Sequence, residues 1–346
     1  MSQKSARQSY IADEDTPTVL VAALRHWHPD LSWSKVRQLL RSRRVAVGDV
    51  MSIDESRKLR PGDRIDVFDQ SLPHPPGADQ VTVHYVDRDV VVVEKPPRMV
   101  TERHKRERSW PASKKRLQPT LEEVIPDVIY REGRDQRPAV LSVHRIDRDT
   151  SGLLVFARHN DAKEALVAQF AAHDIVRVYG AVVVGRPAAQ TVRNKLIRDR
   201  GDGLRGSTSK PHGGKEAATH IRPLRSYRGI DGLDYTEIEC QLETGRTHQI
   251  RIHLAELGHP VCGDPSYRGS VETAAIPDTS GAPRVALHAR ELGFTHPKTQ
   301  EAMHFTSPWP SDMLRFLTRL DVANASETNT GEDMAGKKSG SEKHPS

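Results

Sequence analysis

Ser71 to Gln80 reads SLPHPPGADQ, three prolines and a glycine with no hydrophobic period, a composition that neither a helix interior nor a central strand accommodates. It cuts the 346-residue chain into a short N-terminal part and a long C-terminal one, and a chain of this length can bury two separate cores. The expected boundaries are a module over residues 16–70, a linker over 71–81 and a main domain over 82–320. Residues 1–15 and 321–346 are polar, and the second stretch has no aromatic residue to anchor it. Both are expected to be disordered tails.

In the N-terminal module two short helical segments precede VAVGDV and LRPGDRIDVF. Along the second helix Val36, Leu39 and Leu40 fall at i, i+3 and i+4 and form a core stripe. Lys35, Arg37, Arg41, Arg43 and Arg44 fall largely on the remaining surface. Such a face is either a solvated helix surface or a contact for a polyanion. The whole chain leans the same way, with 52 basic residues against 46 acidic ones and a net charge of +6. Only two cysteines occur, Cys240 and Cys262, without metal-type or redox-type spacing. Disulfides and structural zinc are therefore not expected, and a reducing cytoplasm fits. The chain has neither a signal-peptide core nor any window of about 18 uncharged apolar residues. An unexported protein without membrane contact is expected, and no obligate protein partner is evident.

The main domain opens with VTVHYVDRDVVVVEKPP, two β-branched runs that predict strands meeting at a turn. IVRVYGAVVV is another strand candidate. In DYTEIECQLE, Ile238, Cys240 and Leu242 alternate with Glu237, Glu239, Gln241 and Glu243, the period-two pattern of a half-buried strand. TGRTHQIRIHLAELG follows, with Thr247 as a candidate cap, Ile250, Leu254 and Leu257 as the buried stripe and Gly258 as the stop. Strands and helices mix without regular β-α-β alternation, which predicts an α+β domain. Neither GxGxxG nor a phosphate-loop sequence is present, so no nucleotide cofactor is expected. Two polar stretches read as basic surface insertions. Arg98 to Gln118 has eight Lys/Arg against two acids, with Trp110 among them, and Gln190 to Lys215 has seven against two. Each is either a disordered loop or a contact for phosphates.

The densest polar cluster is LSVHRIDRDTSGLLVFARHN, Leu141 to Asn160, where His144, Arg145, Asp147, Arg148, Asp149, Thr150 and Ser151 lie between two apolar strand segments. Loops held by strands are where active sites usually sit. Asp149 and Thr150 suit a turn before Gly152. Asp147 is flanked by Arg145 and Arg148, which would hold its carboxylate ionised and oriented, and such a carboxylate can act as a nucleophile. Of the 17 histidines, His248 and His253 lie five apart and do not share a helix face as i, i+4 ligands would. No metal site is expected.

HRIDRDTSGLL resembles the catalytic motif of the RluA-type pseudouridine synthases. Asp87, Lys95 and Pro96, then Tyr179, then TGRTHQIRIHLAELGHPVCGDPSY (Thr244 to Tyr267) follow that family's other landmarks in order. The resemblance covers residues 81 to 320, and the N-terminal module resembles the S4 RNA-binding domain. It implies a mixed, mainly antiparallel sheet with a central catalytic cleft, and an enzyme that isomerises uridine in structured RNA without a cofactor. By the same resemblance Asp147 is the catalytic aspartate, Arg251 the basic residue that pairs with it, and Tyr179 the tyrosine that stacks on uracil. Arg145 displaces the target base, and Arg246, Lys35, Arg37, Arg41 and Arg44 contact RNA. Large-subunit ribosomal RNA is the first expected substrate and transfer RNA the second. A catalytically silent RNA-binding or ribosome-assembly factor is the alternative. One departure stands out: the family's usual Lys-Pro-Ala/Pro-Gly is here Lys95-Pro96-Pro97-Arg98.

Overall fold

The computed structural model describes residues 7–320 except 49, 132, 134–139, 211, 230 and 271. The stretch 321–346, expected as a tail, lies outside the described residues. The chain divides into two compact units, Met1–Pro75 with Lys195–Gly214, and Pro76–Asn194 with Lys215–Ser346. The division falls within the proline-rich stretch. The inclusion of Lys195–Gly214 in the first unit has no signature in the order of the sequence.

The first unit contains β1 (Arg7–Ile11), α1 (Leu20–Trp27), α2 (Trp33–Arg41), β2 (Val45–Val47), β3 (Val50–Met51) and β4 (Arg64–Phe68), with strand order β1-β4-β2-β3. Leu20, Leu24, Val36, Leu39, Leu40 and Ile65 form its core. The α2 stripe is as expected, and Ser32 caps the helix by accepting from the Lys35 amide. Residues 7–11 correct the expected N-terminal tail. They form β1, antiparallel to β4 from Arg7↔Phe68 to Ile11↔Arg64. Polarity concealed this strand because its partner Asp66 is itself buried. The carboxylate accepts from Ser9 Oγ at 2.5 Å and pairs with Arg64 at 3.2 Å.

The second unit continues with β5 (Thr82–Val86), β6 (Val90–Lys95), α3 (Ala112–Leu117), α4 (Leu121–Arg131), β7 (Leu141–Ser142), β8 (Ser151–Ala157), α5 (Asn160–Ala172) and β9 (Val176–Val184). Next in chain order come β10 (Gln190–Ile197), whose last three residues are counted with the first unit as is β11 (Gly206–Thr208), and then, in the second unit, β12 (Lys215–Arg228), β13 (Asp234–Leu242), α6 (Gln249–Glu256), β14 (Leu287–Thr295) and β15 (Ala302–Thr306). A further helix covers residues 311–320. The sheet runs β11-β10-β12-β13-β9-β14-β8-β6-β5, with β15 on β14 and β7 on β8. β14 pairs with β8 in parallel, whereas β12–β13, β13–β9, β9–β14, β8–β6 and β6–β5 are antiparallel. Val91 and Val93 of β6 face a core shared with α4, while Val90 and Val92 face one shared with α5. Both faces are covered, which is why the strand reads as an unbroken valine run rather than an alternation.

Neither basic stretch is a plain loop. Gln190 to Lys215 contains β10 and β11, antiparallel from Lys195↔Thr208 to Ile197↔Gly206. Arg98 to Gln118 carries α3, and within it Arg103 is buried against the Glu123 carboxylate and the Gln118 carbonyl, both at 2.7 Å, under the Trp110 ring. Its charge is spent on folding rather than on solvent.

Three histidines, His253 and His288 buried and His144 half-buried, are held neutral by desolvation: His144 is pushed down to about 3, and His253 and His288 each to about 4. The unfolded chain binds these protons near pH 6.5 and the folded one does not, so the stabilisation is present above 6.5 and lost as pH falls toward 4. Thermal unfolding followed by circular dichroism should show a midpoint that drops steadily across that interval.

Candidate active site

The loop carrying Asp147 runs between β7 and β8 and is fixed from below. Lys95, at the end of β6, is fully buried, and its ammonium donates to the carbonyls of Pro96 (2.9 Å), Met99 (2.8 Å) and Arg148 (3.0 Å). Burial lowers its pKa to about 7 against the pull of Asp149 and Asp147. Thr101 Oγ1 donates to the Ile146 carbonyl at 3.0 Å. Arg98 adopts φ +66. A side chain thus sits on left-handed backbone, a conformation that glycine adopts at no steric cost. At the far end of the loop Gly152 has φ +116, and a Cβ there would lie 2.2 Å from the Ala289 carbonyl oxygen on β14.

Local sequence misleads about Asp147 in one respect. Arg148 pairs with Asp149 (3.2 Å) and Arg145 with Glu102 (3.6 Å). The basic side chains beside Asp147 come instead from the start of α6. His248 Nε2 lies 3.9 Å from Oδ1, and the Arg251 guanidinium lies 3.9 Å from Oδ2. The Arg251 side chain is nearly inaccessible, and its principal partner is Asp264, at 2.6 Å and 2.8 Å from two nitrogens of the fork. Asp264 also accepts from the amides of Ser266 and Tyr267. Burial works against its charge, but the Arg251 guanidinium holds its carboxyl below the usual range. Sequence reading missed this carboxylate, although Asp264-Pro265-Ser266 is the kind of turn in which an aspartate accepts amides two residues on.

The helix that brings Arg251 also differs from expectation. Its N-cap is His248, at φ +60 and without a side-chain cap bond, not Thr247. The start is tied instead by Gln249, whose Oε1 accepts from Thr244 Oγ1 and the Arg246 amide and whose amide nitrogen donates to the Ala218 carbonyl. Gln249 to Ala255 are all buried, so no polar face exists to reveal an amphipathic stripe. His248 Nδ1 meets the Tyr267 hydroxyl at 2.7 Å, whereas His253 is enclosed between Thr219 and Asn194.

Asp147, Tyr179, Arg251, Arg145 and Arg246 line one cleft with His248, Arg177 and the apolar side chains of Leu242, Ile250 and Leu287. Tyr179, on β9, is buried, and burial together with Asp147 pushes its hydroxyl up to about 12 against the opposing effect of Arg177. It enters the cleft as a neutral phenol. Arg145 is exposed, and Arg246 donates to the Glu216 carbonyl at 2.9 Å. Lys35, Arg37, Arg41 and Arg44 belong to the other unit. There Arg37 and Arg41 pair with Glu55, and Arg44 donates to the Phe68 carbonyl at 2.7 Å. Among the described residues one cluster has metal-like spacing, Asp87, Asp89 and His296. Its atoms are already engaged, Asp87 with Tyr85 and His296 and Asp89 with His159.

The family model for RNA pseudouridylate synthase matches residues 89–256. A Bacillus subtilis protein described as an uncharacterized RNA pseudouridine synthase is 36% identical over 301 residues, 84% of this chain and 90% of that one. The chain belongs to the RNA pseudouridine synthase family. The synthase is also 33% identical over 331 residues to ribosomal large subunit pseudouridine synthase D of Neisseria meningitidis, covering 92% and 83% of the two chains. The Xanthomonas campestris protein of that description is 32% identical over 339 residues, covering 93% and 96%. Its fold is shared with human RNA pseudouridylate synthase domain containing 4, at TM-score 0.53 and 22% identity over 69% of this chain and 92% of that one.

Asp264→Asn would leave the Arg251 guanidinium buried without its counter-charge. Urea unfolding at pH 7 should lose about 3 kcal/mol. Because the pKa of Asp264 is lowered, its stabilisation is complete above the unfolded value and lost as pH falls through the folded one, so the gap between variant and wild type should narrow progressively below about pH 4.

Proposed function

We propose that this synthase acts on uridine in large-subunit ribosomal RNA, with Asp147 as the essential carboxylate. The observation that carries the reading is the placement of Asp147 on a cleft floor with a nitrogen of His248 and one of Arg251 each 3.9 Å from a different oxygen. An oriented, ionised carboxylate is what chemistry at C1′ of ribose needs. It either attacks that carbon or stabilises the cationic sugar as the base departs, as in glycoside cleavage. The C1′–N1 bond breaks, the base turns, and C5 bonds to C1′. The proton leaving C5 is balanced by one gained at N1, so the reaction consumes no donor and no electrons.

The neutral Tyr179 phenol offers a face on which the uracil stacks. Exposed Arg145 at the cleft mouth displaces the base, a step that costs a few kcal/mol of unstacking. Arg246 takes a neighbouring phosphate. The N-terminal unit acts as an S4-like RNA-binding domain through Lys35, Arg37, Arg41 and Arg44, and its work is done in the cytoplasm. Support for ribosomal RNA comes from the descriptions of the Neisseria and Xanthomonas relatives.

The test is pseudouridine mapping on unmodified ribosomal and transfer RNAs incubated with wild type or Asp147→Ala. Conversion at a large-subunit position by wild type and none by the variant is the expected result. Conversion by Asp147→Ala defeats the catalytic assignment, and conversion confined to transfer RNA defeats the substrate assignment alone.

A further inference from the structure

Arg177 is a cation buried in the cleft without a counter-ion. It lies two residues before Tyr179 on β9, so both side chains leave the strand on the same face, and both line the cleft. Only 7% of the residue is exposed. Its NH2 donates to the Glu243 carbonyl at 3.0 Å, its guanidinium lies 5.4 Å from the Phe170 ring centroid, and its Nε is buried with no hydrogen-bond partner. Among the described residues no carboxylate pairs with it. Even the Glu243 carboxylate is engaged elsewhere, by Arg193 and His220. Room for the guanidinium is made by Gly245, where a Cβ would lie 2.6 Å from Arg177 NH1. A guanidinium has five donors and one charge, and burying it this poorly satisfied is costly. The cost is offset if a partner arrives with the substrate.

Depth decides which partner. Phosphates of the RNA backbone meet exposed cations such as Arg246, whereas the extruded base is the part of the nucleotide that penetrates a cleft. When C1′–N1 breaks, the bonding pair stays on the base, and the resulting anion is delocalised over N1, O2 and O4. Stabilising that charge is a requirement that Asp147, itself negative, cannot meet. Apolar walls of Leu242, Ile250 and Leu287 lower the local dielectric and strengthen any charge interaction there.

Resting on the proposed pseudouridylation at Asp147, we infer that Arg177 is a catalytic residue for the departing base. Its guanidinium donates to a carbonyl oxygen of the flipped uracil and stabilises the uracil anion between cleavage of C1′–N1 and formation of C1′–C5. The anion is discharged when C5 attacks C1′, C5 releases its proton and N1 is protonated. No co-reactant is needed.

The experiment is single-turnover conversion of unmodified large-subunit ribosomal RNA by the full chain, comparing wild type, Arg177→Gln and Arg177→Lys, with RNA affinity and thermal midpoint measured alongside. Gln can still donate to the Glu243 carbonyl but has no charge. The rate at saturating enzyme should fall about 100-fold in Arg177→Gln, the typical loss when one preorganised donor to a developing anion is removed, with RNA affinity unchanged. Arg177→Lys, which keeps the charge, should be faster than Arg177→Gln at an equal midpoint. On RNA carrying 5-fluorouridine, whose base leaves more readily, the Gln deficit in consumption of the target nucleoside should shrink. A Gln variant within about threefold of wild type, a loss confined to RNA affinity, equal rates for Lys and Gln, or a deficit indifferent to fluorination would each overturn the inference. Absence of Asp147-dependent conversion by wild type would instead overturn the underlying reading, and the inference with it.

Discussion

The cleft depends on the ion pair between Arg251 and Asp264. Taking both ions out of water is expensive, and the pair survives because its geometry is two-pronged and Asp264 also accepts two backbone amides. The consequence for the cleft is electrostatic. A guanidinium facing Asp147 alone would close into direct contact and neutralise it. Committed to Asp264, Arg251 comes no nearer to Asp147 than 3.9 Å, beyond hydrogen-bond reach of its oxygens. The same short segment serves a second purpose, because the Tyr267 hydroxyl holds the His248 ring that borders the other oxygen of Asp147.

The remaining supports follow one rule, that groups needed at the cleft are held by partners outside it. Lys95 gathers three carbonyls, one of them from the Asp147 loop. Ser151 meets His288, which meets Ser307, which donates to Glu94, a buried chain joining the end of that loop to β14 and β6. Gly152 permits the backbone of β8 to approach β14 where any side chain would collide. Satisfied polar networks of this kind fix one arrangement because any alternative strands a buried donor or acceptor. Arg177 is the exception, and a cleft that leaves one cation under-satisfied while satisfying its neighbours is reserving it for what enters.

Much of this was legible in the sequence. The valine run of β6 and the alternation of β13 gave strands, and Val36, Leu39 and Leu40 gave the buried face of α2, because backbone sterics and hydrophobic period act over a few residues. The HRIDRDTSGLL and TGRTHQIRIHLAELG segments named the residues that the fold brings into one cleft. What the sequence could not show is which charges pair, since Coulomb attraction depends on distance in space rather than along the chain. Arg145 and Arg148 are Asp147's neighbours in sequence and turn to Glu102 and Asp149, while its neighbours in space arrive from α6. Likewise β1 hid as a polar segment because its stabilising partners are a facing backbone and the buried carboxylate of Asp66. The sequence by itself determined the strands with a clear hydrophobic period and the polar segments that line the cleft. Only tertiary structure decided which ions neutralise one another and which, like Arg177, are left to await a partner.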